Sequence, residues 1–338
     1  MPDVPDDDTE VFSRPVSEEI PECLIGSVID GKYEVLGLLG EGSIGKVYRA
    51  RNHRIWREVA LKVLRPVFGD DPKMMNRFLR EARATARVDH PNVVKVWDVG
   101  VENGDMPFIV MELIEGETLA TRIARQKRLP INDVFSIGRQ LLAGLAAAHA
   151  VGVVHRDVKP ENIILSDGHV RILDFGIARL VKDENTAITQ TGELLGTPSY
   201  LSPEQARGTA IDHRADAWAA TVVFYEMLTG ERPFDSGSLI GTLSNVISKP
   251  HPVPSSLRSD SLPGFDALID AGLDKDVSGR ADIAALLARL EAIEGDLAKE
   301  DLRATQRRPS FPDGVPLGRN PDLDQTTVDA GATSDVDG

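Results

Sequence analysis

The rhythm of apolar and polar positions changes once along this chain, near residue 112. Before it, alternation with a period of two predicts strands over Tyr33–Leu39, Lys46–Asn52 and Glu58–Leu64, and two more over Val93–Val99 and Phe108–Met111. Between them, Pro72–Arg87 places Phe78, Leu79, Ala82 and Ala86 at helical spacing. After Glu112 the pattern is mostly helical. Ile131–Ala150 carries Val134, Ile137, Leu141, Leu142, Leu145 and Ala148 along one face. Ala215–Thr229 is apolar all round, which predicts a helix inside the core. Ile240–Ser248, Phe265–Gly272 and Asp282–Glu294 supply further helices, and Val153–Leu173 reads as strand and loop. The expectation is an α+β chain, with a small unit of five strands and one helix ahead of a larger helical one.

Composition adds boundaries. Residues 1–28 are rich in Asp, Glu and Pro, and residues 298–338 become rich in Pro, Gly, Asp, Thr and Ser, so both are expected to be disordered tails flanking units at 29–112 and 113–297. The 338 residues are 41% apolar, enough for a packed core. A net charge of −15 argues against general binding to nucleic acid or anionic membranes. Much of it is local, since residues 1–22 hold eight acids and one arginine. Cys23 is the single cysteine, which rules out an intrachain disulfide and points to a reducing, cytoplasmic setting. No apolar run approaches the roughly 18 residues of a membrane span, and the acidic start does not read as a signal peptide.

Five signals then occur in one order. Gly40-Glu41-Gly42-Ser43-Ile44-Gly45 lies between two strands, and Val59-Ala60-Leu61-Lys62 follows on a third. His155-Arg156-Asp157 comes next with Lys159 and Asn162 close behind, then Asp174-Phe175-Gly176 and Ser202-Pro203-Glu204. A glycine turn lets backbone approach phosphates without a Cβ clash. Dinucleotide sites use a similar motif between a strand and a helix, whereas here a second strand follows. A lysine, a carboxylate base, two oxygen ligands for metal and a ledge for peptide complete what phosphoryl transfer requires.

Together these motifs resemble the protein kinase family from about Gly31 to Leu297. The resemblance implies a two-lobed fold: an N-lobe with a five-stranded antiparallel sheet and one helix, and a mainly helical C-lobe. It implies ATP and Mg2+ (or Mn2+) as cofactors. ATP would contact Leu39, Gly40, Glu41, Gly42, Ser43, Ile44 and Gly45. Met111 would stand at the back of the adenine pocket, with backbone groups of Glu112 and Ile114 bonding adenine and Val47, Ala60 and Ile164 enclosing it. Lys62 would hold the α- and β-phosphates, fixed by Glu81. Asp157 would accept or orient the proton of the attacking hydroxyl, Lys159 would steady the γ-phosphate, and Asn162 and Asp174 would bind metal. Lys159 at that place accompanies serine and threonine specificity. His155 would pack beneath Phe175, and Asp216 would brace the catalytic loop.

The stretch Ile177–Leu201 resembles a switch segment, with Thr189 and Thr191 as expected autophosphorylation sites received near Arg156. Thr197 would bond Asp157 and Lys159 and shape the substrate ledge, with Glu204 paired to Arg280. Leu201–Gly208 and the threonine pair are most similar to bacterial eukaryotic-like Ser/Thr kinases without a transmembrane sensor. Members often form a homodimer through the N-lobe. Protein substrates are the implied partners, with phosphothreonine-reading domains for Thr326. Arg307-Arg308-Pro309-Ser310 resembles a basic-directed phosphorylation site. Three departures stand out: Ser202 for an alanine, Ala219-Ala220-Thr221 for a Ser-x-Gly element, and Thr85 where a larger apolar residue often links the helix to Phe175. The short Thr85 leads us to expect a displaced helix with Lys62–Glu81 broken before phosphorylation. The alternatives are a pseudokinase or scaffold on the same fold and a small-molecule kinase, the latter disfavoured by the complete ledge from Thr197 to Glu204.

Overall fold

The computed structural model describes residues 24–42, 45–64, 72–104, 106–175, 197–258 and 263–306. The N-lobe is an antiparallel sheet of β1 (Val28–Ile29), β2 (Tyr33–Gly42), β3 (Gly45–Asn52), β4 (Arg57–Leu64), β5 (Val96–Glu102) and β6 (Met106–Met111), in the order β1-β2-β3-β4-β6-β5, with helix α1 (Pro72–Thr85) between β4 and β5. The five expected strands are joined by the two-residue β1. Gly45 faces Gly42 at the end of the β2–β3 hairpin. A Cβ on Gly45 would lie 2.2 Å from the carbonyl oxygen of Val63, so the hairpin reaches β4 only with glycine there.

Alternation along β4 sorts the lobe into two layers. Val59, Leu61 and Val63 join an outer cluster with Tyr33, Val35, Tyr48, Phe108 and Val110. Ala60 and Leu64 join an inner cluster with Phe78, Ala82, Ile109 and Met111, beneath α1. Lys62, two residues from Ala60, therefore emerges on the inner face, in register with Val47 and Ile109.

The described chain starts within the stretch expected to be a tail. Leu24 and Ile29 are buried in the outer cluster, and Gly26 N–H donates to Val35 O (2.8 Å) while Val35 N–H donates to Ser27 O (2.9 Å). Two separated apolar residues are too sparse a pattern to stand out beside so acidic a neighbour. The fourth strand also begins later than Val93. The backbone at Val93 and Val94 serves the C-lobe instead: Val94 N–H donates to Ile172 O (3.0 Å) and Ile172 N–H to Asn92 O (2.8 Å). The Asn92 side chain donates to Val170 O (2.9 Å). The chain thus joins its lobes twice, here and at residues 112–116.

The C-lobe holds β7 (Glu117–Thr118), α2 (Leu119–Gln126), α3 (Ile131–Ala150), β8 (Ile163–Ser166), β9 (His169–Ile172), α4 (Pro203–Arg207), α5 (Arg214–Thr229), α6 (Leu239–Ser248), α7 (Pro254–Leu257), α8 (Pro263–Gly272) and α9 (Ile283–Gln306). Thr118 caps α2, accepting from Thr121 N–H (3.1 Å), and Ser202 with Gln205 forms a capping box at α4. Helix α5 is buried along nearly all its length, as its uniform apolarity predicts. Its neighbours must come close. A Cβ on Gly138 of α3 would meet the Phe224 ring at 2.3 Å, and one on Gly272 of α8 would meet the Thr221 hydroxyl at 2.0 Å. Thr221, in the departing Ala-Ala-Thr element, thus packs on a glycine and returns its hydroxyl to Ala217 O (2.7 Å). Helix α9 runs to Gln306, and within it Lys299 pairs with Asp296 (2.9 Å).

One buried ion pair ties α4 to the turn before α9. Arg280 donates to both Glu204 oxygens (2.7 and 2.9 Å), to Arg214 O (3.1 Å) and to Asp274 O (3.0 Å). Burial opposes the charge of Glu204, but the Arg280 bonds outweigh it and hold the carboxyl below its usual range. Its folded pKa lies below the unfolded one, so the stabilisation is complete above about pH 5 and is lost as pH falls through the folded value. Arg280→Met strands Glu204 and is expected to cost about 3–5 kcal/mol by denaturant unfolding at neutral pH, whereas the double change Glu204→Leu with Arg280→Met costs markedly less. Additive losses would show that the pair is not coupled.

Candidate active site

The loop between α3 and β8 is held by one side chain from α5. Asp216 has no exposed surface, and its carboxylate accepts the N–H groups of His155 and Arg156 (both 2.7 Å) and meets His149 Nε2 at 2.8 Å. These bonds fix two successive peptides, and Arg156 takes a φ of +65°, a region an arginine enters only when its surroundings impose it. Gln205 of α4 adds a bond from its side-chain amide to Arg156 O (3.1 Å). The buried His155 ring lies 4.6 Å from the Phe175 ring, centroid to centroid, and its Nε2 meets Leu173 O at 2.8 Å.

That frame presents Asp157. Its Oδ2 accepts from Lys159 Nζ (2.7 Å) and from the Asn162 side-chain amide (3.0 Å), which also donates to Asp157 O (2.9 Å). With its nitrogen so used, Asn162 has its Oδ1 left as a ligating atom. Leu173 N–H donates to Asn162 O (2.8 Å), and the paired strands β8 and β9 carry the chain on to Asp174. Asp174 sits at φ +52°, a second strained residue in the same small region.

Lys62 reaches down from β4 and meets Asp174 Oδ1 at 2.7 Å. Burial raises the Asp174 pKa, but the Lys62 charge and hydrogen bond, with His155 and Lys159 behind, hold it below the usual range. The Lys62–Glu81 pair implied by the resemblance is not formed. Glu81 is instead taken by the neighbouring guanidinium of Arg80, at 3.2 and 3.3 Å. Lys62 and Glu81 thus hold other partners in this structure, and Thr85 is buried.

Between the lobes, Val47, Ala60, Met111, Leu113, Ile114 and Leu173 pack in one apolar cluster. Ile164 lies nearby with its side chain against Gly116, where a Cβ would meet it at 2.8 Å. Glu112 N–H is committed to Lys95 O (2.9 Å), so of its backbone groups only the carbonyl can serve a ligand; its carboxylate takes Arg171 (3.3 Å). Leu39 is about half exposed at the hairpin, beside Gly40, Glu41 and Gly42, and Ser43 and Ile44 lie outside the described residues. Sequence reasoning named the stretch from Met111 to Ile114, Leu113 included, but passed over Leu173. The signal was there, since Leu173 is an apolar residue directly beside the Asp174-Phe175-Gly176 motif.

Thr189 and Thr191 also lie outside the described residues, as do the tail motifs at Ser310 and Thr326. Thr197 begins the described ledge, but its hydroxyl makes no bond to Asp157 or Lys159, which bond each other. Ser199 donates to Asp235, and Tyr200 to Glu226 at 2.5 Å, anchoring the ledge on α5 and the loop after it.

Residues 33–289 match the family model of the protein kinase domain. The chain is 39% identical over 287 residues to the serine/threonine-protein kinase pkn3 of Myxococcus xanthus, which covers 82% of this chain and 52% of that one. It is 40% identical over 289 residues to the serine/threonine-protein kinase PknL of Mycobacterium tuberculosis, 85% of this chain and 72% of that one. The chain thus spans about half the length of the first relative. The crystal structure of the PknI kinase domain of Mycobacterium tuberculosis superposes with a TM-score of 0.63 at 26% identity, over 79% of this chain and 98% of that one. Among the described residues no helix is long and apolar enough to cross a membrane. The motif order, the two-lobed fold and these matches place the chain in the protein kinase family, alongside bacterial serine/threonine-protein kinases.

Proposed function

We propose that this chain transfers the γ-phosphoryl group of ATP to serine and threonine hydroxyls of protein substrates, and phosphorylates its own segment at Thr189 or Thr191. The observation that carries the reading is the meeting of Lys62, from the N-lobe, with Asp174, from the C-lobe, beside an Asp157 already oriented by Lys159 and Asn162. A loose transfer asks little covalent chemistry of the protein, so position and charge do the work.

Asn162 Oδ1 and the Asp174 carboxylate are hard oxygen donors and fit Mg2+. The metal would bind there and neutralise charge on the phosphates. The protein's own part follows from its geometry. Asp157, its carboxylate anchored on one oxygen, keeps the other for the substrate hydroxyl proton. Lys159 is within reach of the transferred group from the same loop. Lys62 holds the α- and β-phosphates once it leaves Asp174 for Glu81. No observation favours a scaffold, since each position that the chemistry needs is filled.

Incubated with Mg2+ and ATP, the purified chain is expected to gain phosphoryl groups by intact mass, mapping to Thr189 or Thr191, while Asp157→Asn gains none. A chain that binds nucleotide yet gains no mass would leave the scaffold reading standing. Glu81→Gln should lower kcat/KM for a peptide by more than about tenfold, the worth of one charge-assisted bond, without lowering Tm. Undiminished activity in that variant would remove Glu81 from the mechanism.

A further inference from the structure

Helix α1 carries an arginine face. Arg80 and Arg83 of the helix and Arg87 in the turn just after it are all exposed and line a hollow with Asn76, Leu79 and Ala84. Glu81 is the single acid between residues 72 and 88. Arg80 spends its guanidinium on Glu81, and Arg83 and Arg87 meet no acid among the described residues; Asp89, the nearest in sequence, is taken by Lys95 (2.9 Å). A cation at the end of a helix favours the helix dipole, which accounts for Arg83 but not for three in a row around an apolar floor.

Such a face on a chain of net charge −15 asks for an anion, and three stretches of more than twenty residues with an acidic excess lie outside the described residues. Residues 176–196 carry three acids against two bases, and residues 307–338 carry six against three. Residues 1–22 carry eight acids against one arginine, together with Val11 and Phe12 to meet Leu79. That stretch also leaves the fold on the N-lobe, at the buried Leu24. Its 22 residues span up to about 70 Å extended, so α1 is within reach at high effective concentration.

We propose that the arginine face of α1 docks the chain's own acidic segment, residues 1–22, and that docking switches the site on. The second half rests on the function proposed above. Arg80 is shared between two claimants. Carboxylates arriving along Arg80, Arg83 and Arg87 draw its guanidinium off Glu81, and the freed Glu81 can then take Lys62 from Asp174. The segment acts as an activator built into the chain.

The test compares backbone amide exchange over residues 75–87 in three full-length forms: the parent, a form whose eight carboxylates in residues 1–22 become amides, and Arg83→Gln with Arg87→Gln. Neither change touches a described contact, so folding is not at stake. Both variants should exchange α1 about fivefold faster than the parent, the effect of a few exposed ion pairs, and combining them should add nothing. Raising salt to about 0.5 M should bring the parent to the same rate. Equal exchange in all three forms overturns the proposal. So does an effect of the arginine change alone, which would give the face to another anion such as a phosphorylated switch segment, and so does a dependence on protein concentration, which would place the segment on a second copy. Initial autophosphorylation rates should fall in both variants by a similar factor; unchanged rates beside changed exchange overturn the switching half. A parent that never phosphorylates itself would defeat the kinase reading, and the exchange comparison would still decide the docking.

Discussion

The geometry of this protein's chemistry rests on one buried carboxylate. Asp216 sits in the middle of the C-lobe with no solvent contact, a position that costs several kcal/mol unless every lone pair is satisfied. Two backbone N–H groups and one imidazole satisfy it, and those donors belong to the catalytic loop and to α3. The apolar bulk of α5 fixes the carboxylate, the carboxylate fixes the peptides of His155 and Arg156, and the strained φ of Arg156 turns Asp157 outward. Asp157 is thus aimed by the core, several bonds away from the cleft.

The N-lobe supplies the opposite principle. Its one cleft cation is placed by nothing more than the two-residue repeat of β4, which sends Val59, Leu61 and Val63 one way and Ala60 and Lys62 the other. The backbone position is fixed, but the ammonium group at the end of four methylenes is not. In this structure it is spent on Asp174, while Glu81 holds Arg80.

This division explains what could be read from the residues. The helix α5, the alternation of β4 and the loop from His155 to Asn162 depend on local pattern, and the residues announce them; the partners Glu204 and Arg280, 76 residues apart, were legible only through the family resemblance. Glu81 did not announce its partner, because a neighbouring arginine takes it in this structure while the lysine expected for it lies on Asp174. The start of β5 was misplaced for a similar reason. Val93 and Val94 have strand-forming side chains, yet their backbone serves β9, a contact about eighty residues away that no local pattern reveals. The early segment from Leu24 to Ile29 escaped because burial there falls on two isolated residues, while the composition around them is that of a tail.

The bonds from Asn92 and Val94 to Ile172 have a mechanical meaning. They place a fulcrum between the lobes only two residues ahead of Asp174. A rocking of the N-lobe that carries Lys62 toward or away from the cleft must pivot near this point, so it also torques the short arm that ends in the Asp174 carboxylate. Opening of the cleft and alignment of Asp174 are then two readings of a single rotation, geared through two backbone hydrogen bonds rather than through the connection at residues 112–116.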